Sequence, residues 1–220
     1  MVLLEEAAAS QQAHAESVED EVRRACREVS YAWSRIETQP LEQLVAMAGW
    51  ADLVLISQPH PADPEDPLME QLPEQLPIQA PCPVLILPGD GPVPTLPGQQ
   101  HVLVAWKNCR EAGRAIRDAL PFLRTADRVT VLTVDPALNR QSDANDILVF
   151  LERHGIQAEF LPGDGADNEA GEVILAVAQE QECDLIVMGG YGHSRLRDLV
   201  LGSATHTVLS HMRIPVLMAY

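Results

Sequence analysis

The chain has 220 residues, 46% of them apolar, enough for one large domain or two modest ones with a buried core. Its formal charge is −17, from 15 basic and 32 acidic residues, so phosphate backbones would repel it and no nucleic-acid partner is expected. No apolar run reaches the roughly 20 residues of a membrane span, and the opening MVLLEEAAAS stretch is acidic early, with no basic segment of the kind a secretory signal carries; a cytoplasmic protein without a membrane partner is predicted.

In chain order, an Ala/Glu/Arg-rich pattern predicts a long helix over about 4–27, followed by a strand at Val29–Ile36, a helix at Leu41–Ala48 and strands at Asp52–Ile56 and Pro83–Ile86. Twelve of the 17 prolines lie between Pro59 and Pro97, and residues 89–98 have the character of a linker. The pattern then becomes regular. His101–Trp106 reads as a strand buried on both faces. A helix follows with Ala112, Ala115, Ile116, Ala119 and Leu120 on one side and Arg114, Arg117 and Asp118 on the other. Val129–Val134 is a strand, Asp143–His154 a helix closed by Gly155, Ile156–Leu161 a strand, Glu169–Gln181 a helix and Asp184–Met188 a strand. A glycine-rich loop, a helix over about Ser203–His211 and a last strand at Ile214–Met218 complete an alternating β-α series, the signature of a parallel sheet wrapped by helices.

The first half echoes the end of this series. Asp52–Ile56 lies 132 residues before Asp184–Met188, and Pro83–Ile86 lies 132 before Pro215–Met218. One gap-free offset across two elements predicts a duplication, with residues 1–88 a truncated copy that lacks the first strand, first helix and second strand of the complete copy at 99–220.

The charge and cysteine patterns narrow the chemistry. Residues 1–98 carry 16 acids and 4 bases, residues 99–220 carry 16 and 11, and Lys107 is the only lysine. Cys26, Cys82, Cys109 and Cys183 form no CxxC pair, which points to buried thiols and to no metal site. The most informative stretch runs from Met188 through Gly189, Gly190, Gly192 and Gly202 to Ser203, between the end of a buried strand and the start of a helix. Ligands of open α/β sheets bind at that edge. The glycines either let backbone N–H groups approach an anion or turn a tight corner. Ser203 is the N-cap candidate, and the free N–H groups of the following turn would attract phosphate.

The arrangement Gly189-x-x-Gly192, nine residues, Gly202-Ser203 after an apolar strand resembles the nucleotide-binding signature of the universal stress protein family. Trp106-Lys-Asn-Cys-Arg-Glu-Ala112 resembles its first strand-to-helix turn, and Ile214-Pro-Val-Leu217 its closing strand. The resemblance covers 99–220 and, more weakly, 1–88. It implies an α/β fold with strand order 3-2-1-4-5, and ATP, with or without Mg, as ligand. Gly189, Gly192, Gly202 and Ser203 would match the ribose- and phosphate-contacting positions, with Met188 beside them. Ala204 and Thr205 would lie behind the phosphates, and Val134 near the adenine. Lys107, His193 and Arg195 are further candidate contacts; Arg195 and Arg197 read equally well as solvent-facing.

Two departures stand out. ATP-binding members usually carry Asp where this chain has Lys107, and a lysine cannot accept a hydrogen bond from an adenine amino group or ribose hydroxyl. In the first half, Ser57, His60, Glu70 and Gln71 occupy the positions of Gly189, Gly192, Gly202 and Ser203, so no ATP binding is expected there. Truncation would also leave the Asp52–Ile56 strand without its usual neighbour, to be completed by Val29–Ile36 or by another chain. The final strands, which in this family commonly pair between domains and so point to a homodimer, have the option of pairing within this chain.

The resulting expectation is a cytoplasmic stress-response protein with one ATP site in its second half, whose bound state a protein partner reads. The alternative is a scaffold that binds no nucleotide. GxxxxGK[ST], GxSxG and HExxH are all absent. His206 and His211 diverge around a helix, and Asp135 before Pro136 is ordinary turn chemistry as well as the best general-base candidate. No dedicated catalyst is expected, at most slow ATP hydrolysis.

Overall fold

A computed structural model describes residues 2–34, 36, 39–59, 67–89, 100–134, 141–166, 169–190 and 202–220. It divides into two compact units, Met1–Gln39 and Pro40–Tyr220.

The first unit is built on α1 (Val2–Ala25), whose last turn carries Arg23 paired at 2.8 Å with both Glu19 and Asp20. The strand expected at Val29–Ile36 does not form: residues 29–34 and 36 join no ladder. Val29, Tyr31 and Trp33 alternate as strand residues do, but each is exposed. Alternation alone cannot hold a strand whose backbone lacks a partner.

The second unit contains α2 (Pro40–Ala48), β1 (Val54–Ser57), α3 (Pro67–Gln79), β2 (Val84–Leu87), β3 (His101–Ala105), α4 (Arg110–Leu123), β4 (Arg128–Val134), α5 (Gln141–Arg153), β5 (Ala158–Gly163), α6 (Ala170–Glu180), β6 (Leu185–Gly189), α7 (Ser203–His211) and β7 (Val216–Ala219). The strands form one sheet in the order β1-β2-β7-β6-β3-β4-β5. Strands β3 to β7 reproduce the expected 3-2-1-4-5 order, and all their pairings are parallel. Of the linker expected at 89–98, only Gly89 lies among the described residues.

Alternation within the strands feeds two cores. Val102, Val104, Val129, Val131 and Val187 face Ala115, Ile116, Ala119 and Leu123 of α4 and Ile147 and Leu151 of α5. Leu103, Leu132, Ile186 and Met188 face Ile174 of α6, Val208 and Leu209 of α7 and Leu76 of α3. Burial on both faces explains why these strands read as near-continuous apolar runs. Gly155 adopts φ +79 behind α5, where L side chains are disfavoured.

The final strands of the two halves pair antiparallel within the chain, as Val84↔Met218, Leu85↔Leu217 and Ile86↔Val216. Leu85 and Leu217 are 132 residues apart, the offset seen in the sequence. The backbone repeats across it too. The Val54 N–H donates to Pro83 O and the Ile186 N–H to Pro215 O, both at 3.0 Å; the Gln58 N–H donates to Leu87 O at 2.9 Å and the Gly190 N–H to Ala219 O at 3.0 Å. His206 of α7 meets Glu74 of α3, again 132 residues away.

Helix α3 is an element to which the sequence pattern assigned nothing. Pro73 and Pro77 lie inside it, although an interior proline disfavours a helix by about 3 kcal/mol. Both are buried with Leu72 and Leu76, so the prolines belong to the packed strip, and burial offsets what propensity opposes.

Candidate functional site

The carboxyl ends of β3, β4 and β6 open into a cleft of about 210 Å³. The registers place Ala105 level with Leu132 on one side and Met188 on the other, so three adjacent strands form its floor. Leu132, Val134, Ala170, Ile174 and Met188 supply apolar walls; Trp106, Lys107, Cys109 and Ala112 come from the β3–α4 turn; Gly202, Ser203, Ala204 and Thr205 come from the start of α7.

Of the residues expected from sequence, Val134, Met188, Gly189, Gly202, Ser203, Ala204, Thr205 and Lys107 all line this one cleft. Gly192, His193 and Arg195 lie outside the described residues, as do Arg197 and Asp135. One detail is corrected: Ser203 is the first residue of α7 and Gly202 is its N-cap, with no side-chain cap bond. Glycine is acceptable there because the cap's carbonyl does the work; Gly202 O accepts the His206 N–H at 3.0 Å. That bond opens the helical ladder, so the N–H groups of Ser203, Ala204 and Thr205 precede it and have no intrahelical acceptor.

The glycines differ in kind. A Cβ on Gly189 would lie 2.4 Å from Ala112 N and 2.6 Å from Glu111 C, so this glycine lets the first turn of α4 rest against the end of β6. Gly202 has φ −63, which any residue adopts, and a Cβ there would meet only Thr205 Oγ1 at 4.0 Å. Neither the backbone nor packing among the described residues requires a glycine at 202, where the missing side chain leaves space beside the start of α7.

Sequence reasoning missed Ala105, Trp106, Cys109, Ala112, Leu132, Ala170 and Ile174 as cleft residues. The Trp106 indole Nε1 is buried with no acceptor among the described residues. Burial pushes the Cys109 thiol above its ordinary value, and the Glu111 carboxylate adds to the rise, so Cys109 contributes a neutral, weakly polar wall. Gly171 was passed over as well: a Cβ there would lie 2.5 Å from Thr207 Cβ, so its absence lets α6 and α7 approach.

At the other end of β3, buried His101 is held on both ring nitrogens. Nδ1–H donates to Gln181 O at 2.9 Å, and Nε2 lies 2.8 Å from the Thr130 hydroxyl, which itself donates to Gln181 Oε1 at 3.3 Å. No group of three or more His, Cys, Asp or Glu residues suited to a metal occurs among the described residues, and no described helix is long and apolar enough to cross a membrane. All four cysteines are free.

Residues 99–219, the complete half that builds this cleft, match the universal stress protein family. The chain belongs to that family. Among relatives, the universal stress protein Slr1230 of Synechocystis is 42% identical over 69 residues, 30% of this chain and 22% of that protein. The universal stress protein MJ0577 of Methanocaldococcus jannaschii is 36% identical over 47 residues, 21% of this chain and 29% of that protein. The chain thus matches less than a third of either relative's length. A universal stress protein of known structure from Archaeoglobus fulgidus superposes with TM-score 0.72 at 20% identity, over 96% of this chain and 77% of that one. At that identity the likeness concerns the fold, and it extends through the first half.

Proposed function

We propose that the cleft binds ATP or a related adenine nucleotide and that the protein is a nucleotide-dependent regulator of a stress response. The observation that carries this reading is Gly202: a glycine demanded neither by its φ nor by packing among the described residues, beside three N–H groups with no intrahelical acceptor. Such N–H groups favour phosphate through their direction and the helix dipole. The apolar walls suit a base, and the unsatisfied indole N–H of Trp106 is a donor in the same lining. No Asp or Glu lines the cleft among the described residues, so magnesium would arrive carried by the phosphates. On this reading the protein is a binding module with at most slow hydrolysis.

The repeated backbone bonds and the antiparallel β2–β7 pairing support reading residues 40–88 as part of a truncated second copy of the domain. Its strand end carries Ser57 in place of Gly189, and Gly89 packs against Pro59, where a Cβ would lie 2.6 Å from the Pro59 carbonyl oxygen. That copy therefore serves as structure, with ATP bound once per chain, in a cytoplasmic protein.

Calorimetric titration with Mg-ATP tests the reading. Saturation near one ATP per chain, abolished by Gly202→Val with the melting temperature retained, is the expected result. No heat at millimolar ATP would overturn it. A scaffold reading then takes over, favoured by the apolar surface of Met47, Trp50 and Leu55, of which Trp50 is 96% exposed.

A further inference from the structure

A separate recess of about 230 Å³ lies on the other face of the sheet. The cleft described above reaches Ile174 of one core; the recess is bounded by Ile116 of α4 and Ile147 of α5, which belong to the other. Helices α4 and α5 each connect neighbouring parallel strands on that face, so they run in the same direction. Trp106 and Phe150 add ring surface to the lining.

One cation and one anion stand among the described residues of that lining, Arg117 and Asp146. Contacts on both sides hold the guanidinium in place: Nη1 donates to Gly113 O at 2.8 Å, and Cζ lies 5.8 Å from the centroid of the Phe150 ring. Gly113 makes room for it, because a Cβ there would come 3.3 Å from Nη1, and glycine is otherwise a poor choice inside a helix. The guanidinium carries further donors beyond the one that Gly113 O accepts. Asp146 precedes Phe150 by one turn of α5, about 6 Å, and no ion pair joins it to Arg117.

Opposite charges about one turn apart, left unpaired with each other beside an apolar wall, match a small zwitterion. An ammonium and a carboxylate on one carbon fill such a span with a hydrogen bond of about 2.8 Å at either end. A simple anion would be repelled by a chain of net charge −17, and a simple cation would meet Arg117. We propose that the recess binds a free α-amino acid with an apolar side chain, its carboxylate on Arg117 and its ammonium on Asp146. The amide of Asn108, in the same lining, can serve either group. This proposal does not rest on the nucleotide reading of the cleft.

Calorimetry of the full chain at low ionic strength, where exposed charges are least screened, tests it. The probes are L-phenylalanine and L-leucine, with phenylpropanoate and phenylethylamine as analogues that lack the ammonium and the carboxylate respectively. At least one amino acid should saturate near one per chain and bind about tenfold more tightly than either analogue, the scale of one close charge pair at a partly exposed site. Asp146→Asn should weaken the amino acid about tenfold and leave phenylpropanoate unchanged; Arg117→Gln should weaken it similarly with no loss for phenylethylamine. Both side chains are exposed, so the melting temperature should hold in each variant. No saturation by either amino acid at millimolar concentration, equal affinity for amino acids and analogues, or amino-acid binding that survives both substitutions would each overturn the proposal. None of these results bears on ATP in the cleft, which is titrated separately.

Discussion

The segments β1–α3–β2 and β6–α7–β7 share a backbone plan, and it is the second that borders the cleft. Their strand-end hydrogen bonds repeat with lengths within 0.1 Å of each other, and their last strands meet antiparallel in one sheet. What differs is the neighbourhood. β6 is flanked by β3 and covered by α4, and its Val187 is completely buried; Leu55, 132 residues earlier on the edge strand β1, is 57% exposed. Two of the cleft's walls are β3–α4 and β4, which β1 has no counterpart to. The cleft in this fold is thus made by adjacent strands, and a strand–helix–strand unit without them keeps its shape but not those walls.

Substitutions at paired positions sharpen that contrast. Gly189→Val forces a side chain into the backbone of α4 and should lower stability by at least about 2 kcal/mol, read as a fall in urea midpoint. Ser57→Val, at the equivalent exposed position, should change it by no more than about 0.5 kcal/mol. Equal effects would mean that β1 is covered as β6 is. Next in size, Val187→Ala should cost about 2 kcal/mol through lost burial and a residual cavity, and Leu55→Ala under about 1 kcal/mol.

The cysteines offer a comparison on the pH axis. Burial pushes the Cys183 thiol up to about 11 from an ordinary 9.0, with the Asp184 carboxylate adding to the rise; burial also raises Cys82. Between the unfolded value and about 11 the folded state holds the Cys183 proton that the unfolded state releases, so stability should fall as pH rises through that window. Cys183→Ala should remove more of this alkaline fall than Cys82→Ala, measured by urea melts from pH 8 to 11. The smallest effect is expected at the contact between the halves: Glu74→Gln breaks the half-exposed pair with His206, worth under about 0.5 kcal/mol at pH 6.

Most of the second half was legible because its signals are local. Near-continuous apolar runs and period-3.6 patterns set β3 to β7 and their helices, and Ala112, Ala115, Ile116 and Ala119 are the buried stripe that the spacing of α4 demands. The glycine loop pointed to the sheet edge where the cleft opens, and eight of the named residues line that cleft. The sequence misled where partners decide. Val29, Tyr31 and Trp33 alternate without a ladder, whereas Pro73 and Pro77, in a stretch to which no element was assigned, sit in a packed helix. The 132-residue offset held the correcting signal for α3, because it maps α7 onto residues 71–79.

Composition, periodicity and the offset by themselves determined an acidic α/β chain, the order of its second-half elements and the sheet edge at which the cleft opens. Only the tertiary structure decided which glycine serves packing and which leaves space, since Gly189 and Gly202 look alike in sequence and differ in the atoms facing them. It also decided that the β3–α4 turn carrying Lys107 borders the cleft and that the two halves close into one sheet. Those facts depend on which strands become neighbours, and neighbours distant in the chain leave no mark on local pattern.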